Sequence, residues 1–263
     1  MSTNALDTPV QFRATSVSVH FGGLKAVDDV SLSVRRGAMT AIIGPNGAGK
    51  STFLNAVTGF LPQTTGQVEY EGLRMDHLPP WKRVRLGMAR TFQDLEVFPQ
   101  LTVAENVAVG LPVGILHKGE TSADRRSAIA GRSRRDLVMS HLEEVGLSMQ
   151  ADRLAAELSY GEQKMLVVAR LMATQAELLI FDEPGAGLAR GTIDELGKLL
   201  KDLSRRGRTV LLVDHNMDLI LQYADYVYVL HHGVLLAEGE PQEIKANKDV
   251  MNVYLGGDLG GSE

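Results

Sequence analysis

Met39-Thr40-Ala41-Ile42-Ile43 runs directly into Gly44-Pro45-Asn46-Gly47-Ala48-Gly49-Lys50-Ser51-Thr52, and the apolar stretch Phe53–Val57 follows. A buried strand, a Gly-rich loop and a helix in that order are what a phosphate-binding loop requires, and residues 44–51 fit the pattern GxxxxGK(S/T). The glycines let successive backbone N–H groups curl around a phosphate, and the helix N-terminus adds the positive end of its dipole. Lys50 is placed to reach β and γ oxygens, and Ser51 to ligate Mg2+. This stretch predicts an α/β fold with a parallel sheet that binds a nucleoside triphosphate. It does not say which reaction follows binding.

A phosphate loop needs an acidic strand end beside it. Leu178-Leu179-Ile180-Phe181-Asp182-Glu183 supplies one, its first four residues apolar as expected of a central parallel strand covered on both faces. Asp182 is the candidate for Mg2+, and Glu183 is the candidate to polarise an attacking water. A lone carboxylate after an apolar strand is as readily a helix N-cap or a surface turn; the phosphate loop tips the reading. A third segment, Leu158-Ser159-Tyr160-Gly161-Glu162-Gln163, precedes an apolar helix expected over 164–173. Ser159 and Glu162 have capping-box spacing, and a Gly-containing helix start is also an anion site, so the two readings are compatible.

Outward from these motifs the pattern alternates by region. FRATSVSVHF, VSLSV and MTAII within residues 10–45 read as strands of period two, parted by turns at Gly22-Gly23 and Arg36-Gly37, and GQVEYEG (66–72) reads as another. From about 102 to 172 helices take over. Thr102 and Glu105 form a capping box, 117–135 are polar and Arg-rich, and Leu137, His141, Leu142 and Val145 recur at helical spacing. A helix near 192–204, a strand at TVLLVD (209–214) and a hairpin turning at His232-Gly233 complete the layout.

Bulk composition excludes several classes. The 263 residues carry 27 Lys+Arg against 32 Asp+Glu, a net charge of −5 that disfavours broad nucleic-acid binding. Hydrophobic content of 44% with 22% charged residues is ordinary globular usage. There is no cysteine, hence no disulfide, thiolate chemistry or Cys-bound zinc. No run of about 20 apolar residues is present to span a membrane. MSTNALDTPVQFRAT lacks the basic-then-apolar order of a secretory signal, which predicts a cytoplasmic chain.

Taken together, the motifs resemble those of the nucleotide-binding subunits of ATP-binding-cassette (ABC) transporters over about residues 10–256. GPNGAGKS looks like Walker A, LLIFDE like Walker B and LSYGEQ like the ABC signature; Gln93 in ARTFQ fits the Q-loop, His215 in VDHNM the switch histidine, and Phe21 in HFGG the aromatic that stacks on adenine. Alone, Phe21, Gln93 or His215 would be an ordinary core, surface or strand-end residue; their co-occurrence gives them weight. The resemblance implies a P-loop core with an N-terminal antiparallel β subdomain and an inserted helical subdomain. The implied boundaries are a single domain over 8–256, the helical part at about 94–172, and a flexible tail at 257–263.

It further implies ATP and Mg2+ as cofactors and a head-to-tail dimer holding two ATP molecules. Gly44, Pro45, Asn46, Gly47, Ala48, Gly49, Lys50, Ser51, Thr52 and Phe21 of one subunit would face Ser159, Gly161 and Glu162 of the other. Ser51, Gln93 and Asp182 would hold the metal, with Glu183, His215 and Gln93 as the catalytic set. The implied partners are integral-membrane permease subunits, a second identical or related ATPase subunit and, indirectly, a periplasmic solute-binding protein, with no nucleic acid. The implied location is peripheral, on the cytoplasmic face of the inner membrane.

A finer resemblance, carried by FGGLKAV, TGF, LPP, GMARTFQ, LTVAENVAVG and VYLG, is to the ATPase subunits of branched-chain amino acid importers. Urea or amide importers share much of this, as does the catalytic set of lipopolysaccharide exporters. A soluble ABC ATPase acting on nucleic acid or ribosomes would call for two cassettes or a coiled-coil insertion. One departure stands out. The family has Asp or Asn in the loop after Walker B, and GAGLAR puts Ala189 there, which predicts slower or less tightly coupled turnover. The Arg cluster at 125, 126, 132, 134 and 135 reads as a solvated face or as a contact for lipid headgroups or the permease rim. Asn247-Lys248-Asp249 is followed by Val250, so a guanine-reading Asn-Lys-x-Asp motif fails at its fourth position.

Overall fold

The computed structural model describes residues 8–93, 96–112 and 133–255. Two sheets organise it. The first runs in the order β2-β1-β4-β5, all antiparallel, from β1 (Val10–Phe21), β2 (Leu24–Arg35), β4 (Thr65–Tyr70) and β5 (Leu73–Arg74). The second runs β10-β9-β3-β8-β7-β6, from β3 (Met39–Ile43), β6 (Met88–Arg90), β7 (Leu178–Asp182), β8 (Thr209–Val213), β9 (Tyr226–His231) and β10 (Val234–Gly239). β10 pairs antiparallel with β9; the other pairings are parallel.

The central strands are buried on both faces, as their unbroken apolar runs require. Alternate side chains divide between two cores. Ile42, Leu178, Ile180, Leu211 and Val213 pack towards the first sheet, with Phe53, Leu54 and Val57 of α1 (Lys50–Thr58) between the layers. Ala41, Ile43, Leu179, Phe181, Val210 and Leu212 face the remaining helices. One of these, α6 (Arg190–Arg205), buries Leu196, Leu200 and Leu203 on a single stripe.

The helices α3 (Val103–Gly110), α4 (Arg134–Glu144) and α5 (Tyr160–Ala173) form a block whose core includes Val103, Val107, Val138, Leu142, Leu166 and Ala169. Each starts on a complete capping box: Thr102–Glu105, Ser133–Asp136 and Ser159–Glu162. α2 (Pro80–Arg85), α7 (Met217–Tyr223), α8 (Pro241–Ala246) and α9 (Lys248–Leu255) are short connectors. No helix among the described residues is long and apolar enough to cross a membrane.

Several sequence expectations are altered in extent. β1 and β2 are 12-residue strands rather than short runs, because irregular register at Ala14/Val17 and Val17/Val19 interrupts the alternation without ending the pairing. The hairpin turn is at His232-Gly233, with both φ angles positive (49° and 79°) as a two-residue turn demands. Arg134 and Arg135 open α4, exposed, with Arg134 Nη2 donating to Ala108 O at 2.6 Å. Arg125, Arg126, Arg132 and the 257–263 tail lie outside the described residues.

Candidate functional site

The strand-to-helix turn after β3 builds one wall. Gly49 is the N-cap of α1 with φ 94°, and it offers no side chain to the first turn. A Cβ there would meet Ala26 O at 2.5 Å, so only glycine lets β2 approach the loop. The first turn of α1 holds no acidic residue, which leaves its N–H groups to an anion. Lys50 is buried and folds back across the loop, donating to Gly44 O at 2.6 Å and Pro45 O at 3.0 Å. Burial lowers the pKa of its ammonium, while Glu183, Asp182 and Asp214 oppose that shift.

Residues 46–52 line a cavity of about 500 Å3 together with Leu24, Lys25 and Ala26 from β2, Gln93, Glu183, and His232 and Gly233 from the C-terminal hairpin. The hairpin is fastened to the loop: Gly233 N donates to Ala48 O at 3.1 Å, and Asp28 N to Gly233 O at 2.8 Å. Phe21 closes β1, half exposed, and stands outside that lining.

Across the cavity stand Glu183, just after β7, and Gln93, after β6, whereas His215, just after β8, and Asp182 lie behind them, outside that lining. Gln93 Nε2 donates to Glu183 Oε2 at 3.2 Å, and His215 Nδ1 lies 3.9 Å from the same oxygen. Glu183 has φ 48°, a left-handed backbone held by its N–H on Val213 O (2.7 Å) and by Lys164 Nζ on its carbonyl (3.3 Å). Asp214, fully buried, accepts from Gly185 N at 3.1 Å and Asn216 N at 2.9 Å, which fixes both loops.

Asp182 is 3% exposed; its N–H donates to Thr91 Oγ1 at 3.0 Å, and its Oδ2 accepts from Arg90 Nη2 at 2.8 Å. Its other oxygen, Oδ1, is buried without a hydrogen-bond partner. An orphaned carboxylate oxygen close to a hydroxyl-bearing phosphate loop suits a hard divalent cation that takes its remaining ligands from phosphate and water. Among the described residues no cluster of three His, Cys, Asp or Glu offers an all-protein cage, and such a cage is not the Mg2+ pattern.

Ser159, Gly161 and Glu162 lie at the start of α5, outside the cavity lining. The Ser159 N–H and hydroxyl donate to Glu162 Oε2 at 2.8 and 2.7 Å, and the hydroxyl bond leads in holding that carboxyl below its usual range. Tyr160, exposed, packs against Gly187 in the loop after β7, and Lys164 sits 5.7 Å from its ring. Sequence reasoning missed Arg90, Thr91, Lys164 and Asp214 as supports of the site. Local signals existed for three of them: Arg90 and Thr91 lie in the ARTFQ stretch with Gln93, and Asp214 immediately precedes His215.

The comparisons with known proteins agree with this geometry. The family model described as ABC transporter matches residues 27–186, and the model for the branched-chain amino acid ATP-binding cassette transporter matches 234–259. The high-affinity branched-chain amino acid transport ATP-binding protein LivG of Salmonella typhimurium is 40% identical over 247 residues, covering 90% of this chain and 94% of that protein. The corresponding protein BraF of Pseudomonas aeruginosa is 38% identical, with 92% and 96% covered. Among solved structures, an ATP-binding cassette of an ABC transporter in its ADP conformation superposes with a TM-score of 0.80 at 33% identity, covering 95% of this chain and 100% of that one. With a phosphate loop, a paired acidic strand end and this coverage, the chain belongs to the ATP-binding cassette family of ABC transporters.

Proposed function

We propose that this chain is the ATP-hydrolysing subunit of a membrane importer for branched-chain or related hydrophobic amino acids. The observation that carries the reading is the pair of faces across the cavity: Lys50 bent over a glycine loop on one side, and Glu183 with Gln93 on the other, with His215 Nδ1 3.9 Å from the Glu183 carboxylate. The phosphates of ATP are held by the N–H groups of residues 44–52 and by Lys50, whose ammonium exchanges its carbonyl partners for phosphate oxygens. Glu183 Oε2 orients the attacking water and takes its proton, while His215 and Gln93 keep that carboxylate and the γ-phosphate aligned. Ser51, Gln93 and Asp182 would hold Mg2+, which would supply charge neutralisation at the phosphates. Phe21 meets the adenine at the rim.

The start of α5, with Ser159, Gly161 and Glu162, is read as the face offered to ATP on a second ATPase subunit. A related cassette has been solved as a dimer, at 25% identity. Residues 8–256 form one cassette in this reading, with the helical block of about 94–172 facing the permease at the cytoplasmic side of the membrane. Branched-chain substrates are named for the relatives, and the 234–259 match favours the same group here.

The test is Glu183→Gln in the full chain. Wild type should hydrolyse ATP, and the variant should bind it without turnover and accumulate as an ATP-dependent dimer by light scattering. Hydrolysis at the wild-type rate would reject Glu183 as the base. Pull-down of the membrane complex, with ATPase stimulation by leucine, isoleucine or valine through its binding protein, tests the substrate class.

A further inference from the structure

Arg90 ends β6, three residues before Gln93, and its side chain is only 6% exposed. Its two terminal nitrogens are divided between different parts of the site. Nη2 donates to Asp182 Oδ2 at 2.8 Å, while Nη1 donates to Asn55 Oδ1 at 2.8 Å and Thr58 Oγ1 at 2.9 Å, both on α1. Phe92 lies 5.2 Å and Phe60 5.9 Å from the guanidinium carbon. Arg90 therefore joins the phosphate-loop helix, the strand leading to Gln93 and the acidic end of β7.

A buried ion pair of this kind is a poor source of stability, because desolvating both charges offsets most of the attraction. Its geometric effect is sharper. With Oδ2 pinned by Arg90 and the backbone fixed through Thr91, the side-chain torsion of Asp182 is set and Oδ1 is left partnerless. Outer-shell groups that orient a ligating carboxylate typically contribute 10–100-fold to metal affinity.

We propose that Arg90 is the positioning residue for Mg2+ binding, holding Asp182 by one oxygen so that the other faces the metal. The inference rests on the reading of Asp182 as a Mg2+ ligand. A cation acting through charge alone would do the reverse, since Arg90 repels a metal nearby and its removal would tighten Mg2+ binding.

The experiment is equilibrium binding of a fluorescent, non-hydrolysable ATP analogue to the full chain across a Mg2+ titration, with the metal-free affinity as reference. Arg90→Met and Arg90→Lys should each raise the Mg2+ midpoint by about tenfold or more, because lysine keeps the charge but cannot span Asp182 and α1 together. Asn55→Ala, which leaves both charges in place and loosens only the anchor, should shift the midpoint the same way by about threefold, as for one weakened hydrogen bond. It decides the matter if the Arg90 variants do not fold. A lower midpoint in Arg90→Met, full recovery in Arg90→Lys, or an unmoved midpoint in Asn55→Ala overturns the proposal. A wild-type protein indifferent to Mg2+ overturns the Asp182 reading and this one with it; a Mg2+-dependent wild type with an indifferent Arg90→Met overturns this one alone.

Discussion

Glu183 carries two burdens, and a pair of substitutions separates them. Its φ of 48° lies in the left-handed region, where a residue with a Cβ costs roughly 1–2 kcal/mol relative to the right-handed basin. Glu183→Ala removes the carboxylate and keeps that cost; Glu183→Gly removes both. Glycine loses about 0.4–1 kcal/mol more chain entropy on folding, so the net advantage of Gly over Ala is about 0.5–1 kcal/mol. For a chain of this size that corresponds to about 1–4 °C in Tm. Both variants lose the Gln93 and His215 contacts to Oε2, so those terms cancel in the comparison. Urea denaturation and thermal melts of the nucleotide-free variants, with ATPase assays alongside, give the measurement. Both should be inactive, with the glycine variant the more stable of the two. An alanine variant equal to or more stable than the glycine variant would refute the claim that the backbone at Glu183 stores strain.

Arg83, 3% exposed, donates to Leu78 O, Val57 O and Met75 O at 2.8, 2.6 and 2.8 Å, so Arg83→Met should cost about 3 kcal/mol by leaving carbonyls unpaired, read by urea denaturation. Ala189 is the N-cap of α6 and makes no side-chain cap, so Ala189→Asn should add about 1 kcal/mol as well as raising ATPase coupling. Unchanged stability in a denaturation series would reject the capping half of that expectation, and unchanged turnover and dimerisation the other half. Tyr228 has its pKa pushed up to about 12 from 10.0, chiefly by burial. A raised folded pKa contributes stability that is complete below pH 10 and lost as pH rises towards 12, because the unfolded chain releases the proton first. Tyr228→Phe should flatten the pH 10–12 part of the stability curve, although it forfeits the bonds to Ser33 N and O.

The legible parts of the site were those written locally. A phosphate loop, two capping boxes and the run into Asp182-Glu183 declare themselves within a few residues, because strand, turn and helix chemistry there is short-range. The α/β architecture followed from them. Arg90 and Asp182 are 92 positions apart, and the three-residue β6 is too short to show a period, so no pattern along the chain pairs them. Arg83 was equally silent: its partners are backbone carbonyls, and any residue supplies those. The positive φ of Glu183 was also hidden, since glutamate gives none of the warning that glycine gives. The lengths of β1 and β2 were obscured by bulges that break the alternation on which a strand is recognised.

The sheet order β9-β3-β8 has a consequence for the order in which the protein can be made. β3 emerges early, yet Met39 pairs with Val210 and Ile43 with Val229, so both its neighbours arrive some 170 or more residues later. At ribosomal rates of about 5–20 residues per second the wait is roughly ten to forty seconds. During it a five-residue strand that is fully buried in the native fold has neither ladder partner. Such a topology closes slowly and exposes a sticky edge meanwhile. The phosphate loop thus has its native footing only after β8, β9 and the Gly233 turn are in place. The cavity that His232 and Gly233 help to line is therefore complete only in chains whose synthesis has passed that hairpin.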